Sequence, residues 1–255
     1  MQNTLLIGLS RQVALERELA VVANNIANIN TTGYKSDGAL FEEYISKNAR
    51  SGNLSQRDSK VSFVRDRATW IDMSQGTMQR TGNPTDVAID GKGFLAIQTP
   101  RGERYTRNGA LQIDQQGFLV TSDGNPVLGD KGPIKFQPKD RNIRISPDGT
   151  ISVQEAENAN TEAKRAKLRM VTIENPGALQ KDGGSSFALP DGVVPDPDTA
   201  SHFVQGSVEK SNVRAVIEMT RMIDVTRTYT QVANILAQQG DMQRSAIEKL
   251  SDVPN

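Results

Sequence analysis

The 255-residue chain has no cysteine and a single histidine, His202. The first absence excludes disulfides, thiolate metal sites and cysteine nucleophiles, and the second excludes multi-histidine metal centres. Neither sign of charge is in excess, since 30 Lys and Arg balance 30 Asp and Glu. Such a balance argues against a chain that binds by neutralising nucleic-acid phosphates. No segment approaches the ~18–20 consecutive apolar residues of a membrane-spanning helix. The opening MQNTLLIGLSRQ has no basic stretch ahead of its short apolar run and no small-residue cleavage site after it. No signal peptide is therefore expected. Catalytic templates are missing as well: there is no GxSxG elbow, no HExxH and no GxxxxGK-S/T loop. Gly91-Lys92-Gly93 lacks the third glycine of a dinucleotide loop and sits in a hairpin signal. His202, beside Phe203, reads as a loop histidine. The expectation is a non-enzymatic chain with no cofactor, no bound metal and no nucleic-acid partner.

What is present divides the chain into helical ends and a strand-rich middle. Near the start, alternating steps of three and four residues pick out Leu5, Gly8, Gln12, Leu15, Leu19, Val22, Ile26 and Ile29, a heptad-like seam. Leu9, Val13, Ala20, Ala23 and Ala27 form a second stripe beside it. Thr4 is a candidate N-cap, and Gly33 can supply a left-handed C-terminal residue. A helix of about 24 residues would span roughly 36 Å. Residues 212–250 contain no proline and one glycine, Gly240. One stripe there runs Met222, Val225, Tyr229, Val232, Leu236, Gln239, Gln243, Ala246 and Leu250. A neighbouring stripe adds Val216, Met219, Ile223 and Ala233. With Ser211 or Asn212 as cap, the spacing predicts a helix of about 39 residues, roughly 58 Å long.

Between these ends lie Asp-Gly pairs at 90–91, 123–124, 148–149, 182–183 and 191–192, each a hairpin signal. Short apolar runs flank them: Val87-Ala88-Ile89, Phe94-Leu95-Ala96-Ile97, Leu111-Gln112-Ile113, Phe118-Leu119-Val120, Ile143-Arg144-Ile145 and Ile151-Ser152-Val153. Residues 168–173 read as the clearest longer strand. Residues 47–60, KNARSGNLSQRDSK, are polar and aperiodic and read as an extended or mobile linker. The expected fold class is α+β, with long N- and C-terminal helices forming a coiled-coil-like assembly domain and a central antiparallel β-rich domain. The expected boundaries are 1–34 for the first helix, 35–74 for an extended linker, 75–205 for the β domain and 206–255 for the second helix.

Two features remain unexplained by a solitary globular chain. Four asparagines occur in seven residues, Asn24, Asn25, Asn28 and Asn30, where helix propensity alone would disfavour them. They read either as a frayed helix end or as a helix end buried against other subunits, with amides satisfying carbonyls. In addition, two helices cannot cover two apolar stripes each, so surplus apolar face implies partners. A secreted β-domain binding module on a coiled-coil stalk would also use such stripes, whereas a β-rich hydrolase would need convergent carboxylates in a cleft.

Three blocks carry a family resemblance. ALERELAVVANNIANINTTGYK, residues 14–35, resembles the N-terminal signature of the flagellar rod and hook axial proteins. QGSVEKSNVRAVIEMTRMIDVTRTY, residues 205–229, resembles their closing motif, and residues 76–129 resemble their shared β core. The resemblance implies a structural subunit of the bacterial flagellar basal-body rod, with copies of itself and other rod proteins as partners. It also implies export by the flagellar type III apparatus, residence in the rod across the periplasm and transmission of motor torque. The absence of a Gly/Pro-rich insertion between about 40 and 75 suits a proximal-rod member better than a distal-rod one. On this reading the assembly interface comprises Leu15, Leu19, Val22, Asn24, Asn25, Ile26, Asn28, Met219, Met222, Ile223, Val225, Tyr229, Val232 and Leu236.

Overall fold

The computed structural model describes residues 2–46, 61–155, 158–190 and 192–251. The chain forms two compact units. One combines residues 1–27, 37–70 and 214–255, and the other residues 28–36 and 71–213.

The first unit is built on two helices, α1 (Gln2–Ala27) and α2 (Ala215–Ser251). Neither contains proline. Four threonines of α2 bond back to the carbonyl four residues earlier: Thr220 to Val216, Thr226 to Met222, Thr228 to Asp224 and Thr230 to Thr226, at 2.7–3.0 Å. These exposed hydroxyls are thereby satisfied without breaking the helix. Glu218 in the first turn and Lys249 in the last complement the helix dipole. The helices run antiparallel, because contacts that advance along α1 retreat along α2. Gly8 meets Leu236, Gln12 Nε2 donates to the Tyr229 hydroxyl at 3.0 Å, Glu18 pairs with Arg221 at 2.8 Å, and Asn25 Nδ2 donates to Glu218 at 3.3 Å. Gly8 sits where a Cβ would lie 2.5 Å from the Leu236 methyl, so its missing side chain permits the approach. Strands β1 (Asp37–Ser46) and β2 (Val61–Ile71) pair in the same unit. Much of the stretch expected to be a linker is therefore sheet, while residues 47–60 lie outside the described residues.

The second unit is β-rich. Its strands are β3 (Met78–Arg80), β4 (Val87–Asp90), β5 (Phe94–Thr99), β6 (Gly102–Thr106), β7 (Leu111–Ile113), β8 (Leu119–Thr121), β9 (Leu128–Gly129), β10 (Gly132–Pro133), β11 (Asp140–Ile145), β12 (Thr150–Glu155), β13 (Asn158–Lys167), β14 (Met170–Thr172), β15 (Gln180–Lys181), β16 (Ser186–Ala188), β17 (Asp196–Pro197), β18 (His202–Gln205) and β19 (Ser207–Glu209). A six-stranded sheet has the order β15-β16-β6-β5-β14-β17, and a three-stranded sheet the order β11-β12-β13. Every pairing in both is antiparallel. The last two strands return to the first of this unit, β18 pairing with β4 and β19 with β3.

The run Phe94-Leu95-Ala96-Ile97 is buried on both faces of β5. Leu95 and Ile97 enter a core with Val87, Ile89, Leu111, Leu119, Ile151 and Phe203. Phe94 and Ala96 enter a second core with Tyr105, Val171 and Phe187, where the Phe94 and Phe187 rings meet edge to face at 5.9 Å. The alternation follows from the two-residue period of a strand.

Two local expectations need correction. Residues 168–173 are not one strand. The chain leaves the three-stranded sheet at β13, makes a single bridge from Leu168 to Gly129, and joins the six-stranded sheet as β14. The long strand is instead β13, whose sequence NANTEAKRAK favours a helix by propensity but pairs along β12. His202 lies not in a loop but at the first, exposed position of β18, opposite Asp90.

Candidate assembly interface

The two stripes of each helix have different fates. Along α1, Val22 and Asn25 are buried, and Leu15, Leu19 and Ile26 are half-buried on the side facing α2. Along α2, Val225 is buried, and Tyr229, Val232 and Leu236 are half-buried opposite them. These nine of the sequence-derived interface residues line the seam within one chain. Met219, Met222 and Ile223 are exposed, as is Asn24, while Asn28 is half-buried in the turn after α1. The second stripes stay open except at Ala233, which is half-buried. Leu9, Val13, Ala20, Ala23 and Ala27 are all exposed on α1, and Val216, Met219 and Ile223 on α2, with Val216 at 77% and Ile223 at 66%. Multiples of 100° place the open stripe about 115° round from the seam on α1 and about 140° round on α2, so each flanks the pairing face. Ile235, Met242 and Ile247 extend exposed apolar surface toward the end of α2.

Within the β-rich unit, the segments 28–36 and 207–213 meet at a buried charge cluster. Glu209, in β19, is fully buried. Its Oε1 accepts from Lys35 Nζ at 2.6 Å and from the Gly76 amide at 2.8 Å, and its Oε2 accepts from Arg107 Nε at 2.8 Å. Lys35 also donates to the Ser74 carbonyl at 2.6 Å, and Arg107 to the carbonyls of Gly91 and Gly93 at 2.8 and 2.6 Å. Burial pushes the Lys35 ammonium below its ordinary pKa and Arg107 pushes it further, against the opposing pull of Glu209. The Gly33 amide donates to the Glu209 carbonyl at 2.8 Å. Gly33 takes a φ of 68°, and a Cβ there would lie 2.3 Å from the Asn108 backbone nitrogen. The left-handed glycine thus closes this turn rather than capping α1. Asn212 does not cap α2 either. Its Oδ1 accepts from the Ser36 amide at 2.8 Å, and its Nδ2 donates to the Asp72 carbonyl at 2.8 Å. Lys181 Nζ stands 4.0 Å from the centre of the buried Tyr34 ring.

Sequence reading found no role for 75–82 or 105–109, although they supply Gly76 and Arg107. A lone arginine in a hairpin carries no local mark of an ion pair 102 residues away. The accessible clue was the presence of charged Lys35 and Glu209 inside the two terminal motifs.

Among the described residues there is no group of three His, Cys, Asp or Glu side chains placed to hold a metal ion. Likewise no described helix is long and apolar enough to cross a membrane.

Three family models match the chain in order. Residues 5–35 match the flagella basal body rod protein model, 88–153 the flagellar hook protein FlgE/F/G D1 domain, and 204–249 the flagellar basal body rod FlgEFG protein C-terminal model. The chain is 37% identical to the flagellar basal-body rod protein FlgF of Caulobacter vibrioides, over 99% of this chain and 100% of the relative. It is 33% identical to FlgF of Escherichia coli, over 91% and 92% of the two chains. It is also 31% identical to the rod protein FlgG of Buchnera aphidicola subsp. Schizaphis graminum, over 85% and 87%. The chain belongs to the flagellar basal-body rod protein family. As a FlgF-like rod protein it is a structural subunit of the flagellar basal body and serves motility. Each matched segment of this rod protein contributes one member of the buried cluster: Lys35 from the first, Arg107 from the second and Glu209 from the third.

Proposed function

We propose that this chain is a proximal-rod subunit that polymerises through the open faces of its terminal helices. Leu9, Val13, Ala20, Ala23 and Ala27 on α1, with Val216, Met219 and Ile223 on α2, contact neighbouring copies and other rod proteins. The seam itself packs as a short antiparallel coiled coil within each subunit. The observation that carries this reading is the exposed apolar stripe on each helix, beside the face used for pairing. Contiguous apolar surface of this kind is uncommon on a free monomer and marks interaction surfaces. Heterologous contacts repeated from copy to copy build a filament rather than a closed ring. Torque is then shared among many packed side chains. The subunit leaves the cytoplasm through the flagellar type III export apparatus and works in the periplasmic rod. Its role is structural, in keeping with the rod family it belongs to.

A paired substitution tests the reading. Ile223→Asp places a charge on the open face and should leave the isolated chain within about 0.5 kcal/mol of wild type. Rod assembly and swimming should nevertheless fail. Val225→Asp, in the buried seam, should destabilise the helix pair itself by several kcal/mol. Normal swimming by the Ile223→Asp strain would remove the open face as an assembly surface.

A further inference from the structure

Glu209 gathers donors from three distant parts of the chain. Lys35 lies 174 residues before it, Gly76 133 residues before it and Arg107 102 residues before it. Its own strand, β19, is the last described strand. Around it the backbone repeats the same long-range closure. The Lys210 amide donates to the Thr77 carbonyl at 2.9 Å, the Gly33 amide to the Glu209 carbonyl, and β19 pairs with β3. Lys35, Arg107 and Glu209 are all at most 3% exposed. Without Glu209, two mutually repelling cations would be buried beside each other with backbone carbonyls as their remaining acceptors.

We infer that Glu209 is a closing latch: the β-rich unit completes its fold only when residues 207–212 seat between the turn after α1 and the Arg107 segment. A chain in which every earlier strand is present remains open, because its two cations lack the one carboxylate that bonds both, Asp72 and Asp198 acting on Lys35 and Arg107 only through space. Seating the latch orders residues 33–36 and 210–212 of the same unit in one step, through Gly33 and Lys35 on one side and Asn212 on the other. Glu209 is thus a positioning residue for these two segments and a checkpoint on chain completion. This role stands apart from what the helices later contact.

Native-state hydrogen exchange on the full wild-type chain tests the latch without any variant. The Lys210 amide reports the latch segment, and the Leu119 amide, bonded to the Ile134 carbonyl at 2.9 Å, reports the core. A latch opens only with the whole unit, so the two should show the same opening equilibrium within about threefold. Lys210 exchanging a hundredfold or more faster than Leu119 would overturn the inference, because the segment would then be a local brace that frays alone. In Glu209→Gln, protection at Lys210 and Leu119 should fall by one common factor, roughly 10²–10³-fold. Adding Lys35→Met removes one stranded cation and should recover part of that loss at both positions. A loss confined to Gly33 and Lys210 in Glu209→Gln would also overturn the latch.

Discussion

Asn25 Nδ2 donates to the Asp37 carbonyl at 2.8 Å, and the Asp37 amide donates back to Asn25 Oδ1 at 2.9 Å. One buried side chain in the last turn of α1 therefore holds the first residue of β1, and its Nδ2 also reaches Glu218 on α2. Only a side chain carrying both a donor and an acceptor meets this demand. The asparagine run that propensity cannot justify contains at least one residue placed for that reason.

Asn25→Ala should lower the stability of the helix pair by about 1–3 kcal/mol, since two backbone groups of Asp37 lose their partner. Asn25→Asp should do more damage near neutral pH. It keeps the acceptor, loses the donor, and sets a carboxylate against the Asp37 carbonyl and Glu218. Thermal melts followed by helical circular dichroism on the full chain check both. Equal stability of wild type and Asn25→Asp at neutral pH would contradict the assigned hydrogen bonds.

Gly33 and Gly124 both adopt positive φ, 68° and 80°, but only Gly33 faces backbone. A Cβ on Gly33 would lie 2.3 Å from Asn108 N and 2.4 Å from the Arg107 carbonyl carbon, whereas one on Gly124 would meet nothing within 4 Å. Gly124→Ala should therefore cost about 1–2 kcal/mol, the left-handed penalty alone. Gly33→Ala should cost clearly more, because backbone must shift as well. Urea midpoints of the two variants give the comparison.

Acid should weaken the β-rich unit in a defined window. Asp140, Asp148, Asp182 and Asp198 are all held below the ordinary value of 3.8. At Asp140 and Asp198 burial pushes upward but is outweighed, by Arg165 in one case and by the Ser201 hydroxyl and amide in the other. Hydrogen bonds from Thr150 lower Asp148, and those from Arg104 lower Asp182. Between each depressed value and 3.8 the unfolded chain binds more protons than the folded one. The associated stability is thus complete above the unfolded value and lost as pH falls through the folded one. Urea midpoints should hold level from about pH 6 to 5 and drop below about pH 4. Arg165→Met, which removes the partner of Asp140, should start lower and fall less steeply.

The legibility of this chain in its sequence depended on the range of the interactions. Both helices were readable, because seams such as Leu15-Leu19-Val22 and Val225-Tyr229-Val232-Leu236 repeat locally. The Asp-Gly turns at 123–124, 148–149 and 182–183 and strand β5 were readable for the same reason, whereas Asp90-Gly91 joins β4 to β5 across two different sheets and Asp191 lies outside the described residues. The assignment of stripes to partners was not, since a seam residue and a surface residue look alike until the register of α1 against α2 is known. β13 was missed because Glu, Ala, Lys and Arg favour a helix in isolation and only pairing with β12 overrides them. The Lys35–Arg107–Glu209 cluster was missed because nothing within ten residues of any member signals the other two. The family motifs held Lys35 and Glu209 in view, but geometry was needed to join them.

The most direct measurement is thiol accessibility at position 223. The chain has no cysteine, so Ile223→Cys introduces a single reporter on the open face of α2. In the free chain this thiol should react at the rate of an exposed cysteine. In isolated basal bodies it should be protected, because a neighbouring subunit covers that face. An Ile223→Cys thiol that reacts as fast in assembled basal bodies as in the free chain would contradict assembly through the open helix faces.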